Sequence, residues 1–358
     1  MLLRSPPSSM PFIGPFIGPF IGKVLFLAAL AGLITHAAPH ATAQAARPLD
    51  RAMLDQVLAQ AADLPTLRSL IVARDGVPIM EHVFNGPDLD RPVNVKSLSK
   101  TVIAALAGIA IDRGVFEGVD QPIVEILGNR VPASADPRLA QVTIDHLLAM
   151  RSGLERTSGP FYGRWVSSRD WVSFALARPF VDEPGGGMLY STGNSHILSA
   201  ALTRAAGRST LALARDWLGG PLGIEVPAWQ RDPQGTYFGG NNMLLSPRAL
   251  FRFGELYRNG GVVDGRRVLS EAWIRASWTP QARSVHTGDS YGYGWFIREM
   301  KGHTVHYAWG YGGQMLYVVP DLGMTVVMTS DPDSPSGRTG YVRDLHALMA
   351  DGIIPAAQ

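Results

Sequence analysis

Asn94-Val95-Lys96-Ser97-Leu98-Ser99-Lys100-Thr101-Val102-Ile103-Ala104-Ala105-Leu106-Ala107-Gly108 is the stretch that decides how the rest of the chain is read. Of 32 basic residues in the 358-residue sequence only four are lysines, at positions 23, 96, 100 and 301. One of them stands three residues after a serine. Arginine keeps its proton in proteins, whereas a desolvated lysine can lose one and then accept a proton from a hydroxyl. On a helix, positions i and i+3 share a face, so Ser97 and Lys100 are expected to meet at its first turn. The residues that follow, from Val102 to Ile111, are apolar on nearly every face, which predicts a buried helix ending at Arg113-Gly114. Burial at the mouth of such a helix lowers a lysine pKa. The plainer alternative is a serine N-cap followed by an exposed lysine. That pairing is unfavourable beside the positive end of the helix dipole. With 24 serines and four lysines, the string alone would occur by chance in about one chain in four of this length, so it needs company.

Composition narrows the field. The first 45 residues contain no acidic residue. They hold Arg4, a threefold Pro-Phe-Ile-Gly repeat over 11–22, Lys23, an apolar run over 24–34 and a small-residue stretch at Ala41-Thr42-Ala43-Gln44-Ala45. This pattern predicts a secretory signal peptide over residues 1–45, cleaved after Ala45, and a periplasmic or secreted protein. An uncleaved N-terminal anchor is the alternative. Without Arg4 and Lys23 the remaining residues carry 30 basic and 30 acidic groups. Such a balance gives no electrostatic reason to expect nucleic acid or an anionic membrane as partner. The absence of cysteine excludes disulfides, cysteine-ligated zinc and a thiol nucleophile.

Outward from the central stretch, Leu70–Arg74 and Val77–Phe84 flank Asp75-Gly76, a hairpin signal. Thr143 caps a short helix, Trp171–Arg178 and Ser195–Ala206 read as helices, and Ser246-Pro247 starts another. Tyr291–Ile297, Thr304–Tyr307, Gln314–Val319 and Met324–Ser330 read as strands, with a final helix over Tyr341–Met349. Strands at both ends of residues 46–358 are expected to form one antiparallel sheet. The middle of the chain then forms a mostly helical region beside it, an α+β domain with helices flanking the sheet.

Other catalytic solutions are missing. No Gly-x-Ser-x-Gly elbow, His-Glu-x-x-His motif or phosphate loop occurs. His303-x-x-His306 is read as two ordinary sheet histidines rather than a metal site, and no metal or cofactor is expected.

Three segments in order carry a resemblance: Ser97-Leu98-Ser99-Lys100; Pro184 to Asn194 with Tyr190; and Ala308-Trp309-Gly310-Tyr311-Gly312-Gly313-Gln314. Together they resemble the serine beta-lactamase and penicillin-binding superfamily in its class C-like branch, closest to esterases and 6-aminohexanoate-dimer hydrolases. The resemblance implies a beta-lactamase/transpeptidase-like fold and Ser97 as the acylated nucleophile. It implies that either Lys100 or a Tyr190 phenolate, held by cationic Lys100, acts as base. It places the oxyanion hole at the backbone amides of Ser97 and Tyr311, and substrate contacts at Thr192, Asn194, Trp309, Gly310 and Gly312.

Two departures bear on substrate. The second motif is usually Tyr-x-Asn, but here it is Tyr190-Ser191-Thr192, with Asn194 two residues late. The third usually begins with lysine or histidine, where this chain has Ala308 before Trp309 and Gly310. The carboxylate anchor of a beta-lactam or D-alanyl terminus is therefore absent from that position. The expectation is a serine hydrolase acting on a small-molecule ester or amide. Beta-lactamase or DD-peptidase activity would recover if Arg283, His303 or His306 reached the pocket, and a non-catalytic binding protein of the same fold is a third reading.

Overall fold

The computed structural model describes residues 47–358; the expected leader lies outside them. The two hairpin strands β1 (Leu67–Arg74) and β2 (Val77–Val83) turn at Asp75 and Gly76, whose φ values of 51° and 82° give the left-handed turn that suits twisted strands. Six further strands come from the last third of the chain: β3 (Ala282–Arg283), β4 (Ser290–Tyr291), β5 (Phe296–Met300), β6 (His303–Gly310), β7 (Gln314–Val319) and β8 (Met324–Ser330). They form one antiparallel sheet of order β2-β1-β8-β7-β6-β5-β4-β3. The ends of the chain are joined where β1 pairs with β8, with Leu70 opposite Met328 and Val72 opposite Val326.

Alternation divides the sheet into two apolar faces. Ile71, Leu316, Val318 and Val327 face the helical middle of the chain. Leu70, Val72, Met315, Tyr317, Val326 and Met328 face the terminal helices. Because helices cover both sides, β7 and β8 are buried at every position. This explains their continuous apolar sequence.

The terminal layer is α1 (Arg51–Ala62), which buries Leu54, Val57 and Ala61, with the C-terminal helix Tyr341–Ala347 and the wider turn after it. On the other face lie α2 (Ser99–Asp112), α3 (Thr192–Ala206) and α4 (Pro247–Arg258). Every residue of α2 from Ser99 to Ala110 is buried, as its all-round apolar character requires. Ser246 caps α4 through the Ala249 amide, with Pro247 at the first helical position. Among the described residues no helix is long and apolar enough to cross a membrane.

Several boundaries differ from the sequence reading, and two of the differences have a clear cause in the backbone. The strand expected over Tyr291–Ile297 is interrupted between β4 and β5. Gly292 passes so close to Ser277 that a Cβ would lie 2.0 Å from its carbonyl oxygen, and Gly294 has φ 78°. The chain therefore turns there. Helix α3 starts at Thr192, three residues before Ser195. Its first amides are satisfied by a distant loop: Thr192 N donates to Ser158 Oγ at 2.8 Å and Gly193 N to Thr157 Oγ1 at 2.8 Å.

Candidate functional site

Ser97 sits on a 3-10 turn, Lys96–Leu98, that leads into α2. Lys96, just before it, has φ 50°, a conformation that costs a non-glycine residue about 1–3 kcal/mol. Three contacts hold it there. Its amide donates to Asn94 Oδ1 at 2.9 Å, its carbonyl accepts from Ser99 Oγ at 2.7 Å, and its ammonium pairs with Asp333 at 3.3 Å.

One helical turn on, Lys100 is 3 % exposed. Its Nζ lies 3.0 Å from Ser97 Oγ and donates to the Gly240 carbonyl at 2.6 Å. Among the described residues no carboxylate lies within salt-bridge distance of it. Burial, uncompensated by a counter-ion, pulls its pKa from 10.5 down to about 7. Tyr190 lies alongside, its ring centroid 5.0 Å from Lys100 Nζ and packed against Phe296 and Tyr291. Desolvation pushes the phenol up to about 12, while a hydrogen bond with Ser97 works the other way. Burial thus favours the neutral form of both groups, the protonated phenol of Tyr190 and the free amine of Lys100.

Ser97 and Tyr190 line a pocket of about 300 Å³, with Lys100 buried behind Ser97. Tyr190, Phe296, Trp309 and Tyr311 form its apolar walls, with Ser97 at its edge. A polar rim comes from two loops that carry no motif in the sequence. One contributes Arg156 and Ser158, the other Ser284, His286 and Thr287. The second loop is fastened to the sheet by Asp289, which accepts from Arg298 at 2.6 and 2.8 Å and from Tyr307 Oη at 2.5 Å.

Trp309 and Tyr311 line this pocket, whereas four other expected contacts do not. Thr192 turns its hydroxyl to Ser158 Oγ at 2.9 Å. Asn194 is buried on α3 and accepts from Ser152 Oγ at 3.2 Å. Gly310 is a packing residue, since a Cβ there would lie 2.2 Å from the Val95 carbonyl oxygen. Gly312, at φ 84°, abuts the Asp331 carbonyl and donates to Ser336 Oγ at 3.0 Å. Gly310 lets β6 approach the Ser97 turn, and Gly312 lets the following turn approach Asp331.

Arg283, His303 and His306 are also elsewhere. Arg283 Nε donates to the Gly288 carbonyl, His303 pairs with Asp321 at 2.5 Å, and buried His306 stacks on Trp278 with centroids 4.1 Å apart. The two histidines are three apart on one strand and so point to opposite faces.

Solved structures share this architecture. A Bacillus anthracis protein assigned as a 6-aminohexanoate-dimer hydrolase superposes with a TM-score of 0.66 at 17% identity, over 85% of this chain and 81% of that one. EstCE1, a hydrolase with promiscuous acyltransferase activity, gives 0.70 at 15% identity, over 86% and 99%. A D-stereospecific amidohydrolase from Streptomyces gives 0.65 at 20% identity, over 84% and 99%. The beta-lactamase family profile matches residues 54–349, nearly the whole described chain. On that match, over the sheet, the helical region and the Ser97–Lys100 turn together, the chain belongs to the beta-lactamase family of hydrolases.

Proposed function

We propose that the protein is an exported serine hydrolase that cleaves esters or small amides through an acyl-enzyme at Ser97. The observation that carries this reading is the 3.0 Å approach of Ser97 Oγ to a buried lysine that has no counter-ion among the described residues. Neutral Lys100 takes the Ser97 proton as Oγ attacks the substrate carbonyl carbon. The amides of Ser97 and Tyr311, both at the pocket, receive the developing oxyanion. As the tetrahedral intermediate collapses, the bond to the leaving alcohol or amine breaks. Lys100 returns the proton to that leaving group, with the protonated Tyr190 hydroxyl as relay. Water then attacks the acyl-enzyme by the same proton transfers in reverse order, and Ser97 is regenerated.

Trp309 and Phe296 support esters or short amides over beta-lactams, because they line the pocket with apolar surface while Ala308 stands where the related motif carries a cation. The test is intact-protein mass spectrometry after a fluorophosphonate, combined with turnover of a p-nitrophenyl ester, a linear aminohexanoate dimer and a chromogenic cephalosporin. Mass added at Ser97 and ester or amide turnover are expected. Fast cephalosporin hydrolysis with little esterase activity would overturn the substrate assignment. Neither labelling nor turnover would point to a binding protein.

A further inference from the structure

Arg156 lines the pocket that holds Ser97, yet among the described residues its guanidinium has no carboxylate partner. Its one side-chain hydrogen bond is from Nη1 to Nε2 of His286, at 3.4 Å. The guanidinium can only donate in this contact, and among the described residues its remaining donors have no partner.

The position of this cation is built rather than incidental. Thr157 N donates to Ser191 Oγ at 3.0 Å, and Ser158 Oγ bridges to the amide and hydroxyl of Thr192. The loop bearing Arg156 is thereby clamped to the two residues that follow Tyr190. Of these two, Thr192 is the residue that departs from the usual Tyr-x-Asn motif, and the clamp is what it does instead. On the other side, the amides of His286 and Thr287 close onto Ser284 Oγ, and Asp289 ties that loop to Arg298. A guanidinium carried on a loop that is held at its next two residues therefore lines the same apolar pocket as the nucleophile, in a chain whose third motif has Ala308 in place of a cation.

We infer that Arg156, oriented by His286, binds a carboxylate at the far end of the substrate's acyl chain. This rests on the reading of Ser97 as the acylated residue. The pocket then holds the acyl group, with the scissile carbonyl at Ser97, an apolar stretch against Trp309 and Phe296, and an anionic end at Arg156. A single planar guanidinium matches a carboxylate in bidentate geometry, whereas a doubly charged phosphate would call for more cations than the pocket supplies.

The experiment compares mono-p-nitrophenyl adipate with p-nitrophenyl hexanoate, which share a six-carbon acyl chain and differ in the terminal carboxylate. The readout is the ratio of their kcat/KM values, so a general loss of activity cancels. A wild-type ratio of about 10–100 in favour of the adipate is expected from a charge-assisted contact. The ratio should fall close to one in Arg156→Gln, be partly kept in Arg156→Lys and drop below one in Arg156→Glu. Equal rates on the two esters in the wild type, or an unchanged ratio in Arg156→Gln, would overturn this inference alone. Failure to turn over either ester, with Ser97 unlabelled by a fluorophosphonate, would overturn the hydrolase reading and this inference with it.

Discussion

Lys100 donates a 2.6 Å hydrogen bond from Nζ to the Gly240 carbonyl oxygen, and that bond fixes the direction from which the amine meets Ser97. The approach depends on the missing side chain at position 240. A Cβ there would lie 3.0–3.3 Å from Ser195, Thr192 and Lys100 Cε. The amine thus contacts two neutral oxygens, the Gly240 carbonyl and Ser97 Oγ, and among the described residues no carboxylate pairs with it.

A pH dependence follows. Acylation needs Lys100 unprotonated, and its pKa stands at about 7, so kcat/KM for an ester should rise with pH through a midpoint near that value and level off above it. The protonated form of Tyr190, whose pKa is about 12, persists across the range, so no fall is expected before about pH 10. A profile over pH 5–9.5 checks this, and a flat line would count against the lysine as base. Lys100→Arg keeps the charge but cannot release the proton, and should lose about 10²–10⁴-fold in acylation rate.

The same burial sets a stability prediction that runs in the same direction with pH. Between about pH 7 and 10.5 the unfolded chain holds a proton on Lys100 that the folded chain lacks. By linkage the lysine's contribution to stability therefore rises with pH across that window and is least favourable below it. The lowering corresponds to about 5 kcal/mol of electrostatic cost at low pH, offset by roughly 1–3 kcal/mol in hydrogen bonds to Gly240 and Ser97. Lys100→Met should therefore raise Tm by about 4–8 °C at pH 6 and by less at pH 10, while abolishing activity. Calorimetry at the two pH values checks it, and a destabilised variant at pH 6 would contradict the assigned cost.

Gly310 makes a separate test of why β6 carries glycines. A methyl group there would meet the Val95 carbonyl at 2.2 Å, directly behind the turn that holds Ser97. Neither backbone can yield cheaply, so Gly310→Ala should cost about 2–3 kcal/mol and displace Ser97 enough to slow acylation. Denaturant titration with fluorophosphonate labelling measures both. Normal stability with altered substrate preference would instead support a ligand-facing role.

These outcomes mark what the sequence makes legible. The rarity of lysine and the apolar run after Lys100 expose the Ser97 turn, because spacing on one helix is a local property. The Asp75-Gly76 hairpin and the late strands are local in the same sense, and their patterns suffice to place one antiparallel sheet. Gly310 and Gly312 are misleading because backbone packed against backbone and backbone against a ligand demand the same residue. Arg156 and His286 leave no local signal at all. They come from loops 130 residues apart that only the folded sheet brings together. The start of α3 is hidden for the same reason, since its cap comes from residues 157 and 158 and not from Ser191, which makes no side-chain cap.

That remote cap yields the last prediction. Ser158 Oγ accepts from the Thr192 amide and pairs with its hydroxyl, so it caps α3 and clamps the Arg156 loop together. Ser158→Ala removes an N-cap interaction of about 1 kcal/mol, which for a domain of this size is a Tm loss of about 2–4 °C. Thr192→Val should cost less, because it spares the amide bond and removes only the hydroxyl contact. A helix cap alone would lower Tm and leave substrate preference untouched. If the clamp also positions Arg156, Ser158→Ala should in addition reduce the adipate-to-hexanoate ratio of kcat/KM several-fold, and the conservative Ser158→Thr should restore both. A lowered Tm with an unchanged ratio would confine Ser158 to the helix end.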